Sequence, residues 1–454
     1  MDQAWMRANL TRPALDEVAV APAIEESIQR IFGRKMTPAE VVEQIVTDVA
    51  KRGDAAVLEY TWRIDKVKLT PETLFVTEEE IEKAYAVVTA EESEAVKTAI
   101  AQVRYFHECQ RRQSFFVNTV GGSYLMQRIE PLAAVGCCVP GWRAPLVSTA
   151  VMCAVPAAVA GVKNIIASVS PPPASGGRID ERLLFALKEA GVHRILRAGG
   201  AQAVAALAYG TETVPKVDKI TGPGGVFIQL AKKRVFGRVG IDSLAGPSEI
   251  VVIADEEADP SFVAADLLSQ AEHDPEAAAI LLTPSEKLLH EVLREMERQL
   301  SVLKRADTAR ESLSRWGRAV ICPDLSAAVE LCNTIAPEHV ELMVADPWRW
   351  LAEIRHAGAV FLGPFSTEPI GDYVAGTNHI LPTNGTARFS SPLGVDDYIR
   401  RSSVIAITAE GLKELGPAAV KIGDMEGLDA HAAAVKVRLE RLAGNGNGNG
   451  NEGK

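Results

Sequence analysis

Within Ser269-Gln270-Ala271-Glu272-His273-Asp274 an amide and an imidazole stand three residues apart. On a helix they project from one face, where an amide oxygen and an imidazole nitrogen could hold one divalent cation. Two donors do not complete a site, so other acid and imidazole groups must supply the rest. Glu338 and His339 are adjacent in Ala336-Pro337-Glu338-His339-Val340-Glu341, between a predicted helix and a predicted strand. A carboxylate and an imidazole in such a turn could share proton transfers to and from one substrate. Asp372, in Pro369-Ile370-Gly371-Asp372-Tyr373, follows a predicted strand, and His379 comes soon after in Gly376-Thr377-Asn378-His379. Glu426 and His431 fall at the start of the last predicted helix, and Ser248, in Gly246-Pro247-Ser248-Glu249, offers a hydroxyl just before a strand. Taken singly, each also has a plain reading: a satisfied or capping histidine, a solvated Glu–His pair, a turn-forming aspartate, a helix cap.

The elements that must position these residues can be read from periodicity. Asp259-Pro260 sets a capping side chain ahead of a proline at the first helical position, and Phe262, Val263, Leu267 and Leu268 form an apolar stripe, so a helix runs into the Gln270 hexapeptide. Thr37 to Tyr60 reads as an amphipathic helix, Thr77 to Cys109 as a longer helical region opened by a Thr-x-Glu-Glu signal, and Val395 to Leu442 as helical. Ala133 to Gly141 is a short apolar run ended by Pro-Gly, which suits a buried strand and turn, and it opens an alternation of strands and helices. The strands expected are 164–169, 194–197 and 219–220, with helices at 147–159, 179–189, 202–207 and 226–235. A second block alternates strands at 249–254, 277–282, 319–322, 340–344 and 359–362 with helices, including 348–356. Such alternation implies parallel sheets covered by helices on both faces. Gly222-Pro223-Gly224-Gly225 joins a strand to a helix, where backbone N–H groups and a helix N-terminus could meet a cofactor phosphate; a plain tight turn is the other reading. No GxGxxG motif occurs.

Composition limits the function classes. With 454 residues, 47% apolar and 24% charged, the chain should form more than one well-cored domain. A net charge of -11 and the lack of long basic runs argue against a nucleic-acid partner, and no run of eighteen apolar residues argues against a membrane span. The N-terminus has no signal-peptide pattern, and six cysteines without CxxC spacing are expected as reduced thiols, so the expectation is a cytoplasmic protein with a small-molecule partner. The Gly/Asn-rich stretch at 443–454 cannot form a core.

The assembled motifs closely resemble the histidinol dehydrogenase family over roughly residues 20 to 442. They include Gly199-Gly200-Ala201-Gln202-Ala203, Val217-Asp218-Lys219-Ile220 with Gly222-Pro223-Gly224, Ala245-Gly246-Pro247-Ser248-Glu249 and Leu267-Leu268-Ser269-Gln270-Ala271-Glu272-His273. They continue through Ala336-Pro337-Glu338-His339, Gly371-Asp372-Tyr373, Thr386-Ala387-Arg388-Phe389-Ser390-Ser391-Pro392-Leu393 and Glu426-Gly427-Leu428-Asp429-Ala430-His431. The resemblance implies a zinc-dependent, NAD-linked four-electron oxidation of L-histidinol through L-histidinal to L-histidine. It assigns one zinc to Gln270, His273, Asp372 and His431, the last from the other subunit of an intertwined homodimer. Substrate contacts fall to Ser248, Gln270, His273, His339, Asp372, His379, Glu426 and His431, and acid/base work to Glu338 and His339. The fold expected is α/β, with two related Rossmann-like parallel-sheet domains and small helical terminal segments. Its divisions are an arm at 1–34, a first domain at 35–136 with 246–392, a second, NAD-side domain at 137–245, and a helical domain at 393–442.

Three positions are assigned to the dinucleotide: Cys138, Gln202 and Gly225. The chain departs from the family at two of them, since Cys138 stands where the family has Tyr and Gly225 where it has Asn. Cys138 also invites reading as a thiol nucleophile, although no base motif lies beside it and a cysteine in an apolar strand is usually packed. The departures leave two further readings, a relative oxidising another small alcohol, as the sulfopropanediol dehydrogenases do, and a metal-binding paralogue without catalysis.

Overall fold

The structure, a computed structural model, describes Leu10 and residues 22–142 and 144–444. Most of the expected arm at 1–34 and the Gly/Asn tail after Gly444 lie outside the described residues. Contacts divide the chain into a larger unit, 1–111 with 132–398, and a smaller one, 112–131 with 399–454.

The larger unit begins with helices. Thr37 to Tyr60 forms two, Pro38–Arg52 and Asp54–Tyr60, because Gly53 takes φ 55° between them. The expected long helical region after Thr77 is likewise two helices, Glu78–Val87 and Ala90–Glu108, each opened by its own capping box, Thr77 with Glu80 and Thr89 with Glu92. Strands β1 (Phe115–Thr119) and β2 (Ser123–Pro131) follow and belong to the smaller unit.

A five-stranded parallel sheet comes next: β3 (Ala134–Val139), β4 (Asn164–Val169), β5 (Arg194–Leu196), β6 (Lys219–Thr221) and β7 (Gly240–Ile241), in spatial order β5-β4-β3-β6-β7. A second parallel sheet repeats that order with β8 (Glu249–Ala254), β9 (Ala278–Thr283), β10 (Arg318–Ile321), β11 (His339–Met343) and β12 (Ala359–Leu362), arranged β10-β9-β8-β11-β12. Both are doubly wound, and in each the strand order reverses beside its first strand, where such sheets open a crevice at their carboxyl ends. The first sheet's reversal lies between β3 and β6. There Gly222 takes φ 104°, and a Cβ on it would meet the Cys138 carbonyl oxygen at 2.3 Å, so only glycine lets the two strand ends come this close. In the second sheet the equivalent opening is closed by Asp255: its N–H donates to the Met343 carbonyl at 3.3 Å and its carboxylate accepts the Ala345 N–H at 2.9 Å.

The cores group the segments differently from the expected divisions. Ile81, Ile100 and Val103 are buried with Val151, Leu183 and Ile165, and Val41, Ile45, Val49 and Tyr60 with Leu196, Leu207 and Ile220. The helices of 38–108 therefore cover the first sheet, not the second. The second sheet has its own two layers, one of Val263, Leu267 and Val292 and one of Val329, Cys332 and Val340.

In the smaller unit β1 pairs antiparallel with β2, and β2 with β13 (Ile399–Ala406), the register running from Ile399 opposite Pro131 to Ala406 opposite Tyr124. The expectation of an all-helical segment at 393–442 is thus corrected at 399–406. Two helices, Ala409–Met425 and Asp429–Gly444, follow, and a Cβ on Gly423 would lie 3.2 Å from the Ala432 backbone nitrogen, so they cross closely. Among the described residues no helix is long and apolar enough to cross a membrane.

Candidate metal and acid/base site

Asp259 caps the helix Pro260–Ala271 by accepting the Ser261 N–H at 2.7 Å, as its sequence requires. The helix ends before His273, contrary to the expectation that Gln270 and His273 share it. His273 instead sits in the following turn, its N–H donating to the Gln270 carbonyl at 3.2 Å. Asp372 is also displaced from its expected loop; it occupies the last turn of the short helix Glu368–Tyr373, which carries Pro369 in its first turn. These two helix ends bring donor atoms of His273, Glu368 and Asp372 within 4.8 Å of one another. Gln270 is fully buried with neither amide atom hydrogen-bonded. Such a group costs ~1–3 kcal/mol unless a ligand satisfies it.

Glu368 was not found from sequence. The signal was present, since Glu368 and Asp372 are four apart behind a helix-starting Pro369, a spacing that stacks two carboxyls on one face. Burial, and then the Asp372 charge, push Glu368 up to about 8, while burial pushes Asp372 up to about 6. Glu368 is anchored by the Ser269 hydroxyl, which donates to it at 3.3 Å, and its own N–H donates to Glu341 at 2.9 Å.

The acid/base pair lies at the amino-terminal end of β11. Ala336 ends the preceding helix in the left-handed conformation, φ 52°, and turns the chain so that Glu338 and His339 enter the interior, 5% and 2% exposed. The solvated reading of the pair is thereby excluded. His339 Nδ1 lies 3.1 Å from the Glu249 carbonyl oxygen, an acceptor only, so Nδ1 carries the proton and Nε2 the lone pair. That Nε2 is buried, has no hydrogen-bond partner and lies 3.8 Å from Asp372 Oδ1. Burial lowers the His339 imidazole to about 3, and the neighbouring His273 and His379 act in the same direction. The Glu338 carboxyl accepts the Glu249 N–H at 3.0 Å and hydrogen-bonds the Ser248 hydroxyl. Burial, with the charges of Glu249 and Asp372, holds it well above the ordinary carboxylate range.

His379 joins this group. Its Nδ1 is 3.0 Å from the Asp372 carbonyl and its Nε2 3.4 Å from the Thr149 hydroxyl, at the start of the helix that follows β3. Burial lowers it to about 4. Ser248, Gln270, His273, Glu338, His339, Asp372 and His379 all belong to the larger unit. Glu426, which ends the helix Ala409–Met425, and His431, in the first turn of the last helix, are exposed residues of the smaller unit.

The three dinucleotide positions differ. Cys138 is 2% exposed and packed among Ile166, Leu196 and Val204, with burial pushing its thiol up to about 12. Its side chain is packed as core, and burial disfavours the thiolate. Gln202 is buried in the helix Gly200–Tyr209, its amide donating to Asp65 at 3.1 Å while its oxygen has no partner. Gly225 caps the helix Val226–Val235, and a Cβ on it would meet nothing within 4 Å.

Comparison with known proteins gives a consistent result. The family description "Histidinol dehydrogenase" matches residues 32–439. A histidinol dehydrogenase of Aquifex aeolicus (strain VF5) is 53% identical over 397 residues, covering 87% of this chain and 91% of the relative. One of Geobacillus kaustophilus (strain HTA426) is 50% identical over 400 residues, 88% of this chain and 93% of the relative. The crystal structure of histidinol dehydrogenase from Elizabethkingia anophelis superposes with a TM-score of 0.88 at 36% identity, covering 98% of this chain and 97% of that one.

Proposed function

Since the chain belongs to the histidinol dehydrogenase family, we propose that it oxidises L-histidinol through L-histidinal to L-histidine, with one zinc ion and two molecules of NAD, in histidine biosynthesis. The observation that carries the reading is the buried, neutral His339, whose unpartnered Nε2 lies 3.8 Å from an acidic cluster able to ligate a cation.

The residues fit such a cation. Gln270, His273 and Asp372 supply oxygen and nitrogen donors, and the unsatisfied Gln270 amide is accounted for if its oxygen is a ligand. The fourth donor in this reading is His431 of the partner subunit. A homodimer is supported by the smaller unit's exposed apolar side chains, among them Phe116, Ile405 and Met425 at 68, 69 and 75% exposure. Bound zinc would orient the substrate amine and imidazole and lower the proton affinity of nearby carboxyls.

In the first step His339 Nε2 takes the hydroxyl proton as the carbinol hydrogen leaves as hydride, and NAD when bound is the acceptor. Neutral imidazole is the required form, and burial, which lowers its pKa, favours that form at physiological pH. In the second step water adds to the aldehyde, and the hydrate loses its carbon-bound hydrogen as a second hydride, with a second NAD when bound as the acceptor, to leave the carboxylate. Glu338 is the candidate base for that water; its carboxyl must first be ionised, while Ser248 and the Glu249 N–H keep it oriented. His379, bridging Asp372 and Thr149, and Glu426 complete the proposed substrate contacts.

For the dinucleotide we propose the reversal of the first sheet, with the Gly222–Gly225 turn and Gln202 as contacts. Cys138, its side chain buried, contributes only through its backbone in this reading. Six unpaired cysteines support a reducing, cytoplasmic setting. NADH formation from L-histidinol and NAD by zinc-loaded protein tests the reading. Two NADH per histidinol, abolished by a chelator, is the expected result, whereas no NADH at saturating NAD would point to another small alcohol or a silent paralogue.

A further inference from the structure

Glu368 lies in the cluster yet belongs to none of the roles assigned above. It is 1% exposed, one of its carboxyl oxygens lies within 4.8 Å of ligand atoms of His273 and Asp372, and one accepts the Ser269 hydroxyl at 3.3 Å. Ser269 is itself tied down, its hydroxyl also lying 2.8 Å from the Asp266 carbonyl oxygen, and it immediately precedes Gln270. The Glu368 N–H is fixed on Glu341, and Asp266 is held by the Thr367 hydroxyl at 2.6 Å. These bonds connect the two helix ends that carry the proposed ligands, Gln270 and His273 on one and Asp372 on the other.

An acidic cluster alone would signify little. The independent observation is Gln270, fully buried beside it with both amide atoms unsatisfied. We propose that Glu368 is a positioning residue of the metal centre: through Ser269 it ties the end of the helix bearing Gln270 to the helix bearing Asp372, so that the ligands are set before the cation arrives. A buried carboxyl that accepts a hydroxyl from the neighbouring helix holds that helix end in place, and a group that orients a ligand is commonly worth 10- to 100-fold in metal affinity. The proposal rests on the metal-binding reading given above.

The test is zinc affinity of the full-length protein, measured by competition with a chromophoric chelator and without substrate. Glu368→Ala should bind zinc roughly 10- to 100-fold more weakly. Glu368→Gln, whose amide oxygen can still accept the Ser269 hydroxyl, should remain within a few-fold of the parent. In the cobalt-substituted protein the Gln variant should keep the parent's visible spectrum, because a positioning residue is not a ligand. Equal losses in both variants with an altered cobalt spectrum would make Glu368 a direct ligand and overturn the proposal, as would parental affinity in Glu368→Ala. A parent protein that binds no zinc would instead defeat the metal reading itself. Circular dichroism of each variant separates loss of affinity from loss of fold; should Glu368→Ala fail to fold, Ser269→Ala supplies the same readout, with weakened zinc binding expected and parental affinity overturning the proposal.

Discussion

His339 Nδ1 and the carbonyl oxygen of Glu249 are 3.1 Å apart, and this one bond between neighbouring strands decides which nitrogen of the ring keeps the free lone pair. The Glu249 N–H meanwhile holds Glu338 at 3.0 Å, so one peptide stretch orients both members of the acid/base pair.

The imidazole gives an acid-stability signature. Its folded value, about 3, lies below the ordinary ~6.5, so between these limits the unfolded chain binds the extra proton. Stability is therefore lost as pH falls from ~6.5 toward 3, and His339 contributes no pH dependence above that window. His339→Asn should show a smaller drop in melting temperature between neutral pH and pH ~4.5 than the parent, both measured in chelator, and should lower kcat by roughly 10²- to 10⁴-fold. An unchanged pH dependence of melting would reject the buried, neutral assignment.

Removing metal should reveal the Gln270 penalty. Zinc at 100 times its Kd would raise stability by about 2.7 kcal/mol, read as a higher melting temperature, and His273→Ala should abolish the rise. His431→Ala should leave the dimer intact by sedimentation while reducing zinc retention and turnover steeply. Full activity with stoichiometric zinc in that variant would remove His431 from the ligand set.

Gly225 has room for a side chain. Gly225→Asn should lower KM for NAD by about 2- to 10-fold, the value of one added hydrogen bond, with kcat little changed. No change in KM would place the dinucleotide away from this turn.

Cys138 should behave as core. Cys138→Ser buries a hydroxyl in an apolar layer and should cost about 1–3 kcal/mol in denaturant unfolding, yet leave KM for NAD within a few-fold. Activity lost in proportion to modification of this thiol, in protein that remains folded, would restore it to the active site.

What the sequence made legible was local. Strand–helix alternation placed both parallel sheets, because buried parallel strands are continuous apolar runs such as Ile250 to Ala254. The strand β13 was missed because its partner β2 is remote in sequence and Ile399-Arg400-Arg401-Ser402 carries no clear alternation; its exposed residues obey no core pattern. Glu338 and His339 were found as neighbours, but their burial depends on the left-handed turn at Ala336, which nothing in that residue type announces. Glu368 was passed over because a carboxylate before a proline reads as an ordinary helix start. Cys138 is packed as its apolar strand implies.

The two sheets share one winding, and in both the carboxyl ends of the middle strands are drawn together, by Gly222 against the Cys138 carbonyl in the first and by Asp255 on Met343 and Ala345 in the second. Glu338 and His339 stand at the opposite, amino-terminal rim of the second sheet. An architecture used twice in the chain thus carries its buried titratable pair at the end of the strands that doubly wound sheets ordinarily leave plain.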